Sequence, residues 1–150
     1  MAVKTNIVII LLISGILGAF NLEDSFVGHI ATQTQGFIAV AFVISWLLYG
    51  FIMSYKKVKY FFWFITLYWG IGMILTLIAI QLQWFILVIP LVCAFFTPLY
   101  GLSYFLTVPI VNKILSFIIF IALPYLSAAF GCFLGKVIRD NLDKKEIEIT

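Results

Sequence analysis

The chain has 150 residues, 65% of them hydrophobic and only 10% charged, and its mean hydropathy is +1.21. Soluble domains carry about a quarter charged residues, so this composition excludes an ordinary soluble domain. The apolar residues form runs long enough to cross a bilayer, which takes about 20 residues. The net charge of +3 lies in loops and a tail, where basic residues typically mark the cytoplasmic side of a membrane. We therefore predict no nucleic-acid partner.

Five apolar segments follow one another along the chain. We predict spans at about 5–22, 36–54, 60–80, 84–108 and 114–135, followed by a hydrophilic tail at 136–150. Backbone in hydrocarbon must satisfy its own hydrogen bonds, and these runs lack the apolar–polar alternation of barrel strands. The predicted fold class is all-α, a polytopic membrane helical bundle that forms a single integral membrane domain over residues 1–150 in the cell (plasma) membrane.

The amino-terminal third contains a signal-like segment and an acidic loop. Lys4 precedes an apolar run, but no small-x-small cleavage site follows, so we expect an uncleaved signal anchor. In the next loop, His29 shares a short stretch with Glu23 and Asp24, residue types that bind divalent cations or act as bases. Their spacing fits no helical ligand pair, and we interpret the stretch as a solvated loop. The polar run Thr32 to Gln35 is predicted to cap the second helix and contact headgroups rather than bind a ligand.

Orientation depends on the number of spans. Lys56, Lys57 and Lys59 form a short basic loop, which the positive-inside rule places in the cytoplasm together with the amino terminus. Five spans then leave five basic residues inside and four outside, and the inverted arrangement leaves four and five. The fourth segment contains Pro90 and Pro98, which favour a break in the helix. If that segment re-enters instead of spanning, eight basic residues lie inside and one outside. Length favours five spans, and the re-entrant alternative stays open.

Small residues recur every four positions in the fifth segment, at Ser127, Gly131 and Gly135. This spacing places them on one helix face, and small residues there let two helix backbones approach closely. We predict a helix-packing stripe whose partner helix is in the same chain or, as the less favoured alternative, in another subunit. Weaker pairs of the same kind are Ser14/Gly18, Gly15/Ala19, Thr66/Gly70 and Gly72/Thr76.

The segment cores contain no Asp, Glu, Lys, Arg or His. Proton relays and paired-carboxylate enzymes need such groups within the membrane, so we predict no enzyme activity, no catalytic residue, no cofactor and no metal site. Several aromatic residues fall deep in the segments, and they either line a cavity for a lipophilic molecule or, as we favour, form a packing network. They are Trp46, Tyr49, Tyr68, Trp69, Tyr100 and Tyr104.

Two functional hypotheses fit these observations. The leading one is a small accessory, assembly or immunity-type subunit, which acts in the lipid bilayer through helix contacts with another membrane protein or with itself. The alternative is a passive channel or carrier for a neutral or lipophilic small molecule, with polar residues lining its path. That lining would comprise Ser45, Thr66, Thr97, Tyr100 and Ser103. In the tail, Leu134, Ile138 and Leu142 continue an apolar row, either on a solvated cap or as a docking face.

Overall fold

The structure, a computed structural model, describes residues 3–21, 24, 29–105 and 113–149. Within these ranges it contains five α-helices, one 3-10 helix and no strand, which confirms the all-α fold class. The helices are α1 (Val3–Ala19), α2 (Gln33–Tyr55), α3 (Phe61–Gln81), α4 (Phe85–Phe95), the 3-10 helix (Thr97–Tyr104) and α5 (Lys113–Ile149). Among the described residues, two helices are long and apolar enough to cross a membrane, namely α2 and α3 up to Ala79.

The start of α2 is fixed by a capping box, as predicted for Thr32. The Gln35 backbone N–H donates to the Thr32 hydroxyl (3.4 Å), and the Thr32 backbone N–H donates to the Gln35 side-chain oxygen (2.8 Å). Two donors that a helix start leaves free are thereby satisfied. At the other end, Lys57 and Tyr60 adopt left-handed φ values of 55° and 62°. These residues reverse the chain, so α3 returns beside α2 in the opposite direction.

The most extensive helix contact in the bundle joins α5 to α2. The Ser127 hydroxyl donates to the Val43 carbonyl at 2.9 Å. A Cβ at Gly131 would lie 2.1 Å from the Leu47 carbonyl oxygen. One turn further on, a Cβ at Gly135 would lie 2.5 Å from the carbonyl oxygen of Phe51. Because real Cβ atoms do not approach so closely, only glycine fits at these two positions of the stripe.

The direction of α5 follows from the register of this contact. The contacts pair residues that differ by 84 in number at Ser127 and by 85 at Arg139, whose guanidinium donates to the Ser54 carbonyl at 2.9 Å. Since both residue numbers rise together, α5 runs parallel to α2. The end of the bundle at residues 56–60, which we call the lysine end, therefore also holds the last third of α5. The start of α5 lies at the opposite end, where α2 begins.

The predicted fourth span is not one helix. It is divided into α4 and the 3-10 helix at Phe96, while residues 106–108 lie outside the described ranges. The chain enters this segment where α3 ends and leaves it where α5 begins, which is the same end of the bundle. Phe95 reaches Trp69 halfway along α3, with ring centroids 5.5 Å apart. Past the break, a Cβ at Gly101 would overlap the Gln35 carbonyl. We call this unit the hairpin, because both its ends face the end opposite the lysines.

Proline chemistry accounts for the break and side chains compensate for it. Pro98 has no N–H to donate and disfavours the α conformation in the residue before it, and α4 ends at Phe95, just before it. Pro90, which was also predicted to favour a break, lies inside α4 without ending it. The Thr97 carbonyl is bonded by the Asn21 side-chain amide at 3.0 Å, and the Thr97 hydroxyl donates to the Cys93 carbonyl at 2.7 Å. Asn21 is fully buried, and it joins the end of α1 to the hairpin tip.

α1 runs antiparallel to α2 along the inner side of the hairpin. Ile10 lies in a small internal space beside Trp46 and Tyr49, whereas Gly18, two turns later, lies against the hairpin, where a Cβ would be 2.6 Å from the Thr97 hydroxyl. The first residues of α1 are therefore directed toward the lysine end.

The stripe generates a graded stability prediction. Gly131→Ala should destabilise the chain by about 1–3 kcal/mol, as overpacking of a core does, because its Cβ meets a backbone carbonyl that cannot rotate away. Gly131→Leu should cost more. The measurement is thermal unfolding of the purified chain in mild detergent.

The matched control is Gly70→Leu on α3. Gly70 is exposed and a Cβ there meets nothing within 4 Å, so this substitution should leave the melting temperature unchanged or raise it, since leucine is the better helix former. Equal melting temperatures for the Gly131→Leu and Gly70→Leu variants would contradict the close contact.

Candidate functional site

The helix-packing stripe lies inside the bundle. Ser127, Gly131 and Gly135 all face α2. A glycine of α2 also faces α5, because a Cβ at Gly50 would lie 2.2 Å from the Ala128 carbonyl oxygen. The two helices therefore interlock, and within this chain the stripe has no free face left for another subunit.

Two of the four weaker small-residue pairs are also used internally. Gly18 meets the hairpin, and the space above Gly72 is filled by the Phe95 ring, which a Cβ would approach to 2.2 Å. Their partners in the two pairs, Ser14 and Thr76, are buried with 1% and 0% of their surface exposed. Close approach of α1 and α3 to the hairpin thus depends on small residues, as it does between α2 and α5.

The pair Gly15/Ala19 points away from the bundle. Both residues are exposed, and a Cβ at Gly15 would meet nothing within 4 Å. The neighbouring apolar side chains on this side of α1 are also uncovered, with Leu12 57% and Ile16 59% exposed. We call these four residues the open face of α1. A small-xxx-small pair flanked by large apolar residues is the pattern at which membrane helices associate.

A pocket of about 530 Å³ opens at the lysine end, and we call it the end pocket. Its apolar wall is the start of α3 with Cys132 of α5, and its polar part comes from residues 54–60 and from the α5 extension. Charged side chains supply most of the polar lining. They are Lys57, Lys59, Arg139, Asp140 and Asp143.

Two ion pairs order the end pocket. Lys57 Nζ lies 2.9 Å from an Asp143 carboxylate oxygen, and both side chains are more than half exposed. Arg139 lies deeper, with 19% of its side chain exposed, and its guanidinium pairs with Asp140 at 2.7 Å. Lys59 makes no ion pair within the described part of the chain. Of the three cations in the pocket, Arg139 is held in a partly buried ion pair, Lys57 is held in an exposed ion pair, and Lys59 has no ion pair in the described part of the chain.

The sequence prediction missed the end pocket. The lysine loop and the charged tail were each recognised, but their meeting depends on the parallel direction of α5, which charge counting left open. In the tail, Arg139 pairs with its neighbour Asp140, and Asp143 reaches Lys57. α5 is continuous to Ile149, about four turns beyond Gly135. Its apolar row stays uncovered at Ile138 and Leu142, which are 44% and 47% exposed.

The residues named for a channel lining bond to nearby backbone instead. Ser45, Thr66 and Thr97 donate to the carbonyl four residues earlier in their own segment. Ser103 donates to the Tyr100 carbonyl, and the Tyr100 hydroxyl donates to the His29 carbonyl. None of the five lines the end pocket. Their hydroxyl protons are thus used within the chain, and this arrangement does not favour a polar conduit.

Most of the aromatic residues predicted to lie deep pack together, but two lie apart from them: the Tyr100 hydroxyl donates to the His29 carbonyl, and Tyr104 is 41% exposed. Trp46, Tyr68, Trp69 and Phe95 lie with ring centroids 5.1–5.7 Å apart. Trp46 and Trp69 are buried, and neither indole N–H has a hydrogen-bond partner within the described part of the chain. The cluster ties α2, α3 and the hairpin together at mid-height, which agrees with the packing interpretation more closely than with a cavity.

His29 and Asp24 meet at the opposite end, whereas Glu23 lies outside the described residues. His29 Nδ1 is 3.1 Å from an Asp24 carboxylate oxygen, and the Gln35 side-chain amide donates to the other oxygen. The hydrogen bond from His29 and then that from Gln35 hold the pKa of Asp24 below its ordinary value of 3.8. Among the described residues, no group of three or more His, Cys, Asp and Glu side chains is placed to hold a metal ion. The contact links Asp24 to His29, just before α2, and to Gln35 in the first turn of α2.

This contact predicts that the stability of the folded chain depends on the charge of Asp24 only at acidic pH. A depressed pKa means that ionised Asp24 stabilises the folded state through its contacts with His29 and Gln35, so this contribution is complete above the ordinary pKa and is lost as pH falls through the lower folded value. His29→Ala should raise the pKa of Asp24 toward 3.8. Carboxyl NMR titration of the chain in detergent measures the shift. An unchanged midpoint in the His29→Ala variant would contradict the contact.

Comparison with known proteins found no relative of this chain. No protein-family model, no curated protein and no solved structure matches the chain. The function is therefore argued from the geometry of the open face, the end pocket and the surface that surrounds them.

Proposed function

We propose that the chain is a multi-pass protein of the cell membrane in which α1, α2, α3 and α5 span the bilayer and the hairpin re-enters from one side. The surface of α2 and α3 supports this placement. Only 33% of the best apolar window of α2 and 28% of that of α3 are buried in the bundle. The core helix of a soluble protein would be mostly covered, whereas a spanning helix in a small bundle presents apolar side chains to lipid.

The distribution of basic residues supports the re-entrant arrangement over five spans. With the hairpin returning to its own side, Lys113 is the one basic residue at the end where α5 begins. The other eight lie toward the lysine end, which the positive-inside rule places in the cytoplasm. They are Lys4, Lys56, Lys57, Lys59, Lys136, Arg139, Lys144 and Lys145. The acidic loop residue Asp24 lies at the opposite end.

Within that membrane, the chain acts as a non-enzymatic accessory, assembly or immunity-type subunit that binds another membrane protein. The observation that carries this proposal is the open face of α1. Of the small-residue pairs examined, Gly15/Ala19 has both members exposed, and a Cβ at Gly15 meets nothing within 4 Å. Lipid tails solvate leucine as well as another helix does, so helix association in bilayers depends on close van der Waals packing at small residues. A partner helix on α1 would obtain that packing.

Cysteine labelling tests the membrane placement. In a background with Cys93→Ala and Cys132→Ala, we expect Lys56→Cys and Asn141→Cys to resist a membrane-impermeant maleimide in intact cells and to react after permeabilisation. Thr34→Cys, an exposed position at the start of α2, should react in intact cells. Labelling of Asn141→Cys from outside would instead support five spans.

Crosslinking tests the open face. Gly15→Leu should leave the melting temperature unchanged, because the side chain enters free space, yet it should remove the crosslinked partner band in native membranes. The loss should be about fivefold or more, since disrupting a helix contact costs on the order of 1 kcal/mol. Gly70→Leu, an equally open glycine on α3, is the matched control and should retain the partner. Recovery of the same partner with the Gly15→Leu variant would overturn the proposal.

A further inference from the structure

We propose that the end pocket binds the phosphodiester headgroup of an anionic phospholipid at the cytoplasmic face of the membrane. This inference rests on the membrane placement above and is independent of the partner of α1. The pocket volume of about 530 Å³ falls within the range of small-molecule sites, roughly 300–1,000 Å³.

The charge of the lining selects a monoanion. Three cationic and two acidic side chains line the pocket, which leaves one net positive charge. Asp140 and Asp143 are each engaged with one cation, and Lys59 is the cation without an ion pair in the described part of the chain. A phosphodiester carries a single negative charge, so its binding at Lys59 would neutralise the net positive charge of the pocket. A second anionic group would meet the two carboxylates.

Hydrogen-bond donors are already positioned in the pocket. Arg139 is held in place by the Ser54 carbonyl at 2.9 Å and by Asp140, and a guanidinium has five N–H donors, more than these contacts use. α3 begins at Phe61 in the pocket wall. The positive end of its dipole therefore adds to the attraction for a phosphate.

The surroundings of the pocket favour a lipid over free phosphate. Tyr60 and Trp63 line the pocket and are 79% and 65% exposed, and such rings typically lie at headgroup level in membranes. Trp63 also begins an uncovered apolar side of α3 that continues at Leu67 and Ile71, four and eight residues later, which are 56% and 51% exposed. The acyl chain of a lipid can lie along this side while its headgroup occupies the pocket. A soluble anion has no acyl chain and cannot make this contact.

Native mass spectrometry of the full chain released from detergent tests the proposal. The probes are phosphatidylglycerol, phosphatidylcholine and inorganic phosphate. The wild-type chain should retain phosphatidylglycerol in preference to the other two. Lys59→Gln should reduce that retention about fivefold, the factor that corresponds to about 1 kcal/mol for one basic residue at a membrane surface.

The matched control is Lys136→Gln, an exposed α5 lysine outside the pocket lining, which should retain the lipid as the wild-type chain does. Because Lys59 is exposed and unpaired, its substitution leaves the fold intact, and an unchanged melting temperature verifies this. Equal lipid retention by the two variants would overturn the proposal. Binding of inorganic phosphate with no preference for phosphatidylglycerol would also overturn it, in favour of a soluble-phosphate site.

The lipid test and the labelling experiment test two different proposals independently. External labelling of Asn141→Cys would overturn the membrane placement whatever the lipid result. Internal protection of both lysine-end cysteines, together with equal lipid retention, would overturn the lipid site alone.

Discussion

The bundle depends on the close parallel contact between α2 and α5. Backbone carbonyls of α2 at Val43, Leu47 and Phe51 meet a hydroxyl and two glycines of α5. In a bilayer, where hydrophobic burial gives neighbouring helices little advantage over lipid, such close packing is what holds them together. The same register aligns the guanidinium of Arg139 with the Ser54 carbonyl at the lysine end, so one helix contact positions both the bundle interior and the end pocket.

Because α2 and α5 are parallel, the chain between them has to return to the end of the bundle where α2 begins. α3 makes this return once, so the hairpin that follows has to begin and end at that same end. Pro98 meets this condition by ending α4 halfway, and Asn21 and the Thr97 hydroxyl bond two carbonyls at the break. Irregular backbone at membrane depth persists only when it is enclosed by protein. α1 and the mid-height aromatic cluster provide that enclosure.

Sequence reasoning reached the elements more readily than their arrangement. The apolar runs indicated all-α structure, the spacing of Ser127, Gly131 and Gly135 indicated a shared face, and Thr32 was recognised as a cap. These signals are local, because helical periodicity and capping act within a few residues. The direction of α5 is a long-range property, and basic-residue counts were compatible with more than one topology. The end pocket joins residues 54–63 to residues 132–143, so it could not be found before that direction was known. The open face of α1 appeared only as one of four weak pairs, since spacing does not show which side of a helix is covered.

The 84-residue separation of the α2–α5 contact also bears on how the protein is made. α2 is translated early, but its Gly50 and the backbone carbonyls that face α5 have no partner helix until α5 has been translated. Contacts between distant parts of a chain form late and slowly. During that interval the face of α2 that carries Gly50 is uncovered and other helices can pack against it, so mispairing competes with formation of the native bundle. A chain that stops before Ser127 would lack the contacts of Ser127, Gly131 and Gly135 and would keep this face uncovered.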